Sequence, residues 1–175
     1  MQDDVIGGAA ITWGRSTKRN AQTPPLAQVA GSVGVPAELA DLEPLRYYAE
    51  YARRYASHDL DKFMELFDER WQMIDHRAGS AEEPAGRDVC RAMTASVFAV
   101  SRDVRFTIDE VLACDDRVVA MRASYHGRAL GGSGRFAFEG GFVTVVEDGH
   151  SISVDTYEYD DNDAMLARFA ELTSG

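Results

Sequence analysis

Lysine is almost missing from this 175-residue chain: it occurs only at Lys18 and Lys62, and all 18 basic residues together face 29 acidic ones. The net charge is −11, and no stretch gathers arginine into a stripe able to neutralise a phosphate backbone, so nucleic acid and anionic membrane surfaces are excluded as expected partners. Cysteine is equally sparse. Cys90 and Cys114 fall in separate predicted elements without a CxxC pair, which leaves neither a disulfide framework nor a zinc site. The four histidines are scattered without metal-ligand spacing, and no glycine-rich loop follows a strand and opens a helix, so no cofactor and no metal are implied. No apolar run approaches the length of a bilayer span, and the start Met1-Gln2-Asp3-Asp4-Val5-Ile6 has neither a positive nor an apolar leader region. The expectation is a soluble, cytoplasmic protein.

What is present is enough chain for one ordinary core. Residues 1–42 lack sustained periodicity and are punctuated by Gly7-Gly8, Pro24-Pro25, Gly31, Gly34 and Pro36, which predicts a flexible arm or linker. Within it only Ala9-Ala10-Ile11-Thr12-Trp13 has the texture of a strand; an arm that docks Trp13 is the alternative. From Glu43 the pattern turns helical, with Leu45, Tyr48, Ala52 and Tyr55 at three- and four-residue spacing, giving a helix over 44–57. His58-Asp59 caps a short second helix with Leu60, Phe63, Met64 and Phe67 as its apolar stripe, and a strand follows at 71–75. A third helix over 87–100 carries Val89, Met93, Val97 and Val100. Four strands rich in Val, Phe, Thr and Tyr come next, over 104–113, 117–128, 135–146 and 151–158, joined by short turns and so forming an antiparallel meander. The acidic cluster Asp160, Asp161 and Asp163 opens a last helix over 164–172, with Met165, Leu166 and Phe169 inward. The fold class is α+β, a curved antiparallel sheet folded over helices.

Strand alternation puts Trp71, Met73 and Asp75 on one face, aiming an ionisable carboxyl the same way as apolar neighbours. Burial there raises a carboxyl toward working pH, where a general base is both deprotonated and basic, so Asp75 is a candidate to remove a proton next to a carbonyl. The competing reading is an aspartate that ends a strand and bonds the following loop. Tyr51 is a candidate donor to a developing enolate; on spacing alone it is one of four tyrosines on an amphipathic helix. Asp155 alternates with Ser151, Ser153 and Tyr157 against Ile152, Val154 and Thr156, and periodicity does not decide which face looks inward. Arg122, Ser124 and His126 share a strand face able to bind a carboxylate or phenolate, a pattern that a half-exposed sheet face shares. His76 points opposite to Asp75 on an ideal strand.

The helix end Tyr55-Ala56-Ser57-His58-Asp59-Leu60-Asp61, the following Leu66-Phe67-Asp68, the strand end Ile74-Asp75-His76-Arg77 and the tail from Glu147-Asp148-Gly149 to Tyr159-Asp160 resemble, in their order and spacing, the NTF2-like superfamily. The resemblance covers residues 43–173 and is strongest to the ketosteroid-isomerase-like and SnoaL-like polyketide cyclase branches. It implies a cone-shaped sheet around a helix, one deep apolar pocket and a homodimer. Tyr51 matches the isomerases' oxyanion-hole tyrosine and Asp75 their proton-shuttling aspartate, while Gly140-Gly141 stands where their protonated aspartate is expected, which weighs against ketosteroid isomerisation itself. Asp155 matches the carboxyl that SnoaL-like cyclases carry on the final strand. On the same resemblance Trp71, His76, Arg122, His126 and Tyr157 are expected to bind substrate. Limonene-epoxide hydrolases place an arginine and an aspartate two apart on a strand, where this chain reads Arg122-Ala123-Ser124, which disfavours their chemistry. The expectation is a cofactor-independent cyclase or isomerase for a hydrophobic carbonyl-bearing or polycyclic molecule of natural-product metabolism, with Asp75, Asp155 and Tyr51 as its catalytic groups. The rival is a non-catalytic binding or association domain.

Overall fold

The structure, a computed structural model, describes residues 35–80, 83–132 and 134–174. The arm expected over 1–42, with its strand at 9–13 and Trp13, therefore lies outside the described residues up to 34. After a 3-10 turn at Ala37–Leu39, helix α1 spans Glu43–Ser57 and ends where His58 adopts a left-handed conformation (φ 56°). Asp59 then caps the five-residue α2 (Leu60–Met64), its carboxylate accepting from the Lys62 amide at 3.1 Å, as its place before an apolar stripe predicts. Strand β1 (Phe67–Asp75) starts four residues earlier than expected, and a two-residue strand β2 (Ala85–Gly86) leads into α3 (Arg87–Val100). The meander follows as β3 (Arg105–Cys114), β4 (Val118–Arg128), β5 (Arg135–Glu147) and β6 (His150–Tyr157), and α4 (Asn162–Thr173) closes the domain.

One curved sheet runs in the order β2-β1-β6-β5-β4-β3. Every pairing is antiparallel except β1 with β6, which is parallel because the whole meander intervenes between them. The β5–β6 hairpin turns on Asp148 and Gly149 (φ 50° and 75°), the two positive angles a tight right-twisted hairpin needs. The sheet carries irregularities of register on both sides of the β1–β6 seam. In β1 the register against β6 jumps between Phe67 and Gln72, yet Phe67, Trp71 and Met73 keep the two-residue alternation and all line the concave side. In β6 the partners step from Val146–Ser151 to Val145–Ser153, leaving Ile152 as a bulge that changes the phase of the strand.

The sheet has a buried layer on each face. On the concave face α1, α2 and α3 enclose an aromatic core in which Tyr51 lies edge-on to Phe63 and Phe106, each at 4.8 Å between ring centres. On the convex face α4 covers Val118, Ala120, Val143, Val145 and Tyr157 with the fully buried Met165. A Cβ on Gly141 would sit 2.5 Å from the Met165 sulfur and 3.0 Å from the Glu158 carbonyl oxygen, so glycine is what lets α4 approach the sheet. Two helical stripes are narrower than the periodicity suggests. Val89 and Val100 of α3 are exposed, and its inward stripe is instead Cys90, Met93, Thr94 and Val97; Leu166 of α4 is exposed as well.

Candidate functional site

Between helices α1 and α3 and the concave face of the sheet lies a cavity of about 150 Å³. Its wall is aromatic on the helix side, where Tyr47, Tyr48, Tyr51 and Tyr55 enter from α1, and mixed on the sheet side, where Trp71, Met73 and Phe138 meet Thr156. This single-sided run of tyrosines follows from the helical spacing of α1: a stripe at three- and four-residue intervals points one way.

Most polar atoms in the wall are paired. Tyr51 and Tyr125 join hydroxyls at 2.8 Å, Tyr48 joins Thr144 Oγ1 at 2.7 Å, and the Trp71 indole N–H donates to Ser151 Oγ at 3.0 Å. Burial pushes the Tyr51 and Tyr125 hydroxyls well above the ordinary tyrosine value, and their mutual proximity pushes Tyr51 further, so both remain protonated donors. Thr156 is the exception. It is only 5% exposed, and its hydroxyl oxygen is fully buried with no hydrogen-bond partner among the described residues.

Asp75 follows Trp71 and Met73 on β1, and Arg77, which is part of the cavity wall, grips it. The guanidinium donates through Nε to Oδ1 at 2.8 Å and through Nη2 to Oδ2 at 2.6 Å, and the Arg77 amide adds a bond at 3.1 Å. Burial alone would raise the Asp75 carboxyl, but these bonds and the arginine charge outweigh it and hold the carboxyl below the usual carboxylate range. The raised value expected from an apolar setting is therefore corrected: Asp75 is ionised. The expected loop-binding role of this strand end is present at the same time, because the bonds also fasten the chain leaving β1.

Asp155 is not where the resemblance puts it. The Ile152 bulge leaves Ser151, Val154 and Thr156 in the cavity wall and turns Asp155 to the convex side, where it is 2% exposed. There it accepts from His76 Nε2 at 2.7 Å and from Arg168 Nε at 3.2 Å. His76 stacks on Tyr157, ring centres 4.7 Å apart, and Tyr157 belongs to the layer beneath α4. Arg122 and His126 also leave the cavity. On β4 the residues packed toward the cavity side are Val119, Met121, Ala123 and Tyr125, so the intervening Arg122, Ser124 and His126 lie on the other face. Arg122 there pairs with Glu110 and lies over the Tyr159 ring at 5.1 Å, while Ser124 donates to Asp109. Of the expected substrate-binding residues, Trp71 alone reaches the cavity wall, and His76, Arg122, His126 and Tyr157 are corrected to the opposite face.

Tyr125, Arg77 and Thr156 were not singled out in the sequence. For Tyr125 the signal is partial: it continues the alternation Val119, Met121, Ala123, but Val118 and Ala120 make the opposite face of β4 apolar as well, so the pattern alone does not mark which face is inward. Arg77 was within reach as the second residue after a strand-end aspartate. No sequence pattern reveals the Ile152 bulge that carries Thr156 inward.

A curved sheet cupped around helices and enclosing one aromatic cavity defines an NTF2-like cone. The chain belongs to the SnoaL-like domain family, whose model matches residues 47–154. No curated protein matches the chain in sequence. Among solved structures, AusH from Aspergillus nidulans is similar at 12% identity over 65% of this chain and 82% of its own, with a TM-score of 0.56. RV0760c from Mycobacterium tuberculosis, solved in complex with estradiol-17beta-hemisuccinate, is similar at 17% identity over 69% and 96%, TM-score 0.55. SalBIII, described as an epoxide hydrolase/cyclase-like enzyme in pyran ring formation in the polyether salinomycin, is similar at 20% identity over 64% and 87%, TM-score 0.51. Together the family match and these neighbours agree on the fold. No described helix is long and apolar enough to cross a membrane.

Proposed function

We propose that the protein binds a hydrophobic, carbonyl-bearing small molecule in the concave cavity and handles a proton on it, as a cofactor-independent cyclase or isomerase. The observation that carries this reading is a pair of protonated tyrosines in the wall of an apolar cavity together with an ionised aspartate, Asp75, bonded to the wall residue Arg77. Tyr51 and Tyr125 supply hydroxyls that stay protonated, while Asp75, held by a wall arginine, stays ionised. A base that is always deprotonated removes a proton next to a carbonyl, and a neutral tyrosine donates to the oxygen on which negative charge develops. Asp155 takes no part in the chemistry in this reading; it positions His76 and Arg168. Identification by mass spectrometry of the molecule that co-purifies with the chain, followed by its conversion with wild type, Asp75→Asn and Tyr51→Phe, tests the assignment. Turnover lost on Asp75→Asn and lowered by about a hundredfold on Tyr51→Phe supports it.

A second reading, binding without catalysis, is favoured by one specific observation: the Asp75–Arg77 bonds weaken the carboxylate as a base. It predicts equal ligand binding in wild type and Asp75→Asn with no product from either.

A further inference from the structure

We infer that the cavity's ligand is a neutral single-ring molecule whose oxygen is a hydrogen-bond acceptor, a cyclic ketone in the simplest case, and that Thr156 anchors that oxygen. This narrows the preceding reading and rests on its identification of the cavity as the ligand site.

Size sets the first limit. A cavity of about 150 Å³ matches the volume that accommodates benzene and falls below the roughly 300–1,000 Å³ of pockets that take drug-sized ligands. A ring of about six to nine non-hydrogen atoms fits that volume, whereas a four-ring skeleton does not. Charge sets the second. The charged residues of the wall are Arg77, already bonded through two nitrogens to Asp75, and Glu139, which is exposed. Beside Glu139 and the ionised Asp75, an anionic ligand would enter an aromatic cavity with its charge opposed, at a cost that excludes it.

Hydrogen-bond counting sets the third. The Tyr51–Tyr125 pair has two hydroxyl protons and uses one in the mutual bond; no described group accepts the other. Thr156 adds a buried hydroxyl with no partner among the described residues. In the resting cavity the wall thus offers protons without acceptors, and an orphaned buried hydroxyl is unfavourable by about 1–3 kcal/mol. A ligand carbonyl relieves that penalty by accepting, while a ligand that only donates, such as an ammonium, does not.

The test uses the full chain labelled with nitrogen-15 and follows the Trp71 indole N–H, which lies in the wall, during titration with small probes by NMR. 2-Cyclohexen-1-one is expected to bind saturably and at least tenfold more tightly than cyclohexylamine or cyclohexanecarboxylate. Androst-4-ene-3,17-dione, a four-ring ketone, is expected to bind more weakly than the single ring. Thr156→Val should weaken the ketone about three- to tenfold, the equivalent of one hydrogen bond, and Thr156→Ser should restore it. Cyclohexene, which lacks the oxygen, should bind Thr156→Val as well as wild type. Absence of saturable cyclohexenone binding, tighter binding of the steroid, or a Thr156→Val variant that binds the ketone unchanged overturns the inference. Asp75→Asn separates this from catalysis: a ketone preference that persists with no proton transfer leaves the anchor standing and removes only the enzymatic reading.

Discussion

Arg77 donates two hydrogen bonds to Asp75 from only two residues further along the chain, at 2.8 and 2.6 Å, and thereby fixes the charge of the carboxyl beside the cavity. Because the folded-state value is depressed, the pair stabilises the fold at pH values above the unfolded aspartate value of about 3.9. That contribution is lost as pH falls through the lower folded value. Arg77→Met removes the two guanidinium bonds and the charge but leaves the burial and the bond from the residue-77 amide, so the Asp75 carboxyl should rise. A carbon-13 titration of the Asp75 carboxyl in both proteins reads the rise. Urea unfolding should show Arg77→Met less stable by about 1–3 kcal/mol at pH 6, with the gap shrinking below pH 4.

Asp155 satisfies two partners on the face away from the cavity, and its substitution should uncouple stability from ligand binding. Asp155→Ala removes the acceptor of His76 and leaves Arg168 with Glu171 alone, and is expected to destabilise the fold by about 1.5–3 kcal/mol, the range for hydrogen bonds to charged groups. Cyclohexenone affinity, measured where the variant is still folded, should stay within twofold of wild type. A large loss of affinity without loss of stability would return Asp155 to the binding site.

Gly141→Ala should push α4 away from the sheet. The new methyl group meets the Met165 side chain and the Glu158 carbonyl, the second of which belongs to backbone and cannot swing aside. Overpacking of this kind is expected to lower stability by about 1–3 kcal/mol. Adding Met165→Ala relieves only the side-chain part, so the double variant should recover less than the whole interaction in a thermodynamic cycle.

Much of the framework was legible in residues with a local mechanism. The tyrosine stripe of α1, the Asp59 cap, the Asp148-Gly149 hairpin and the strand lengths of the meander each follow from interactions within a few positions, and the structure reproduces them with boundaries shifted by a few residues at most. The facing of strands was harder, because this sheet is buried on both sides. Val118 and Ala120 pack under α4 while Val119 and Met121 pack toward the cavity, so apolarity alone does not mark the inner face of β4. On β6 one unpaired residue, Ile152, exchanges the two faces, moving Thr156 in and Asp155 out. Asp75 shows a third limit: its apolar strand neighbours were visible, but its nearest charge came from the loop that follows the strand.

Proton transfer at the cavity is tested most directly by deuterium exchange into the α′-position (C6) of 2-cyclohexen-1-one in heavy water, followed by proton NMR with wild type and Asp75→Asn at pH 7. Wild type is expected to accelerate exchange above the buffer rate, and Asp75→Asn to fall back by about a hundredfold or more while still binding the ketone. Equal exchange rates in the two proteins, with the ketone bound in both, would contradict the assignment of Asp75 as the base.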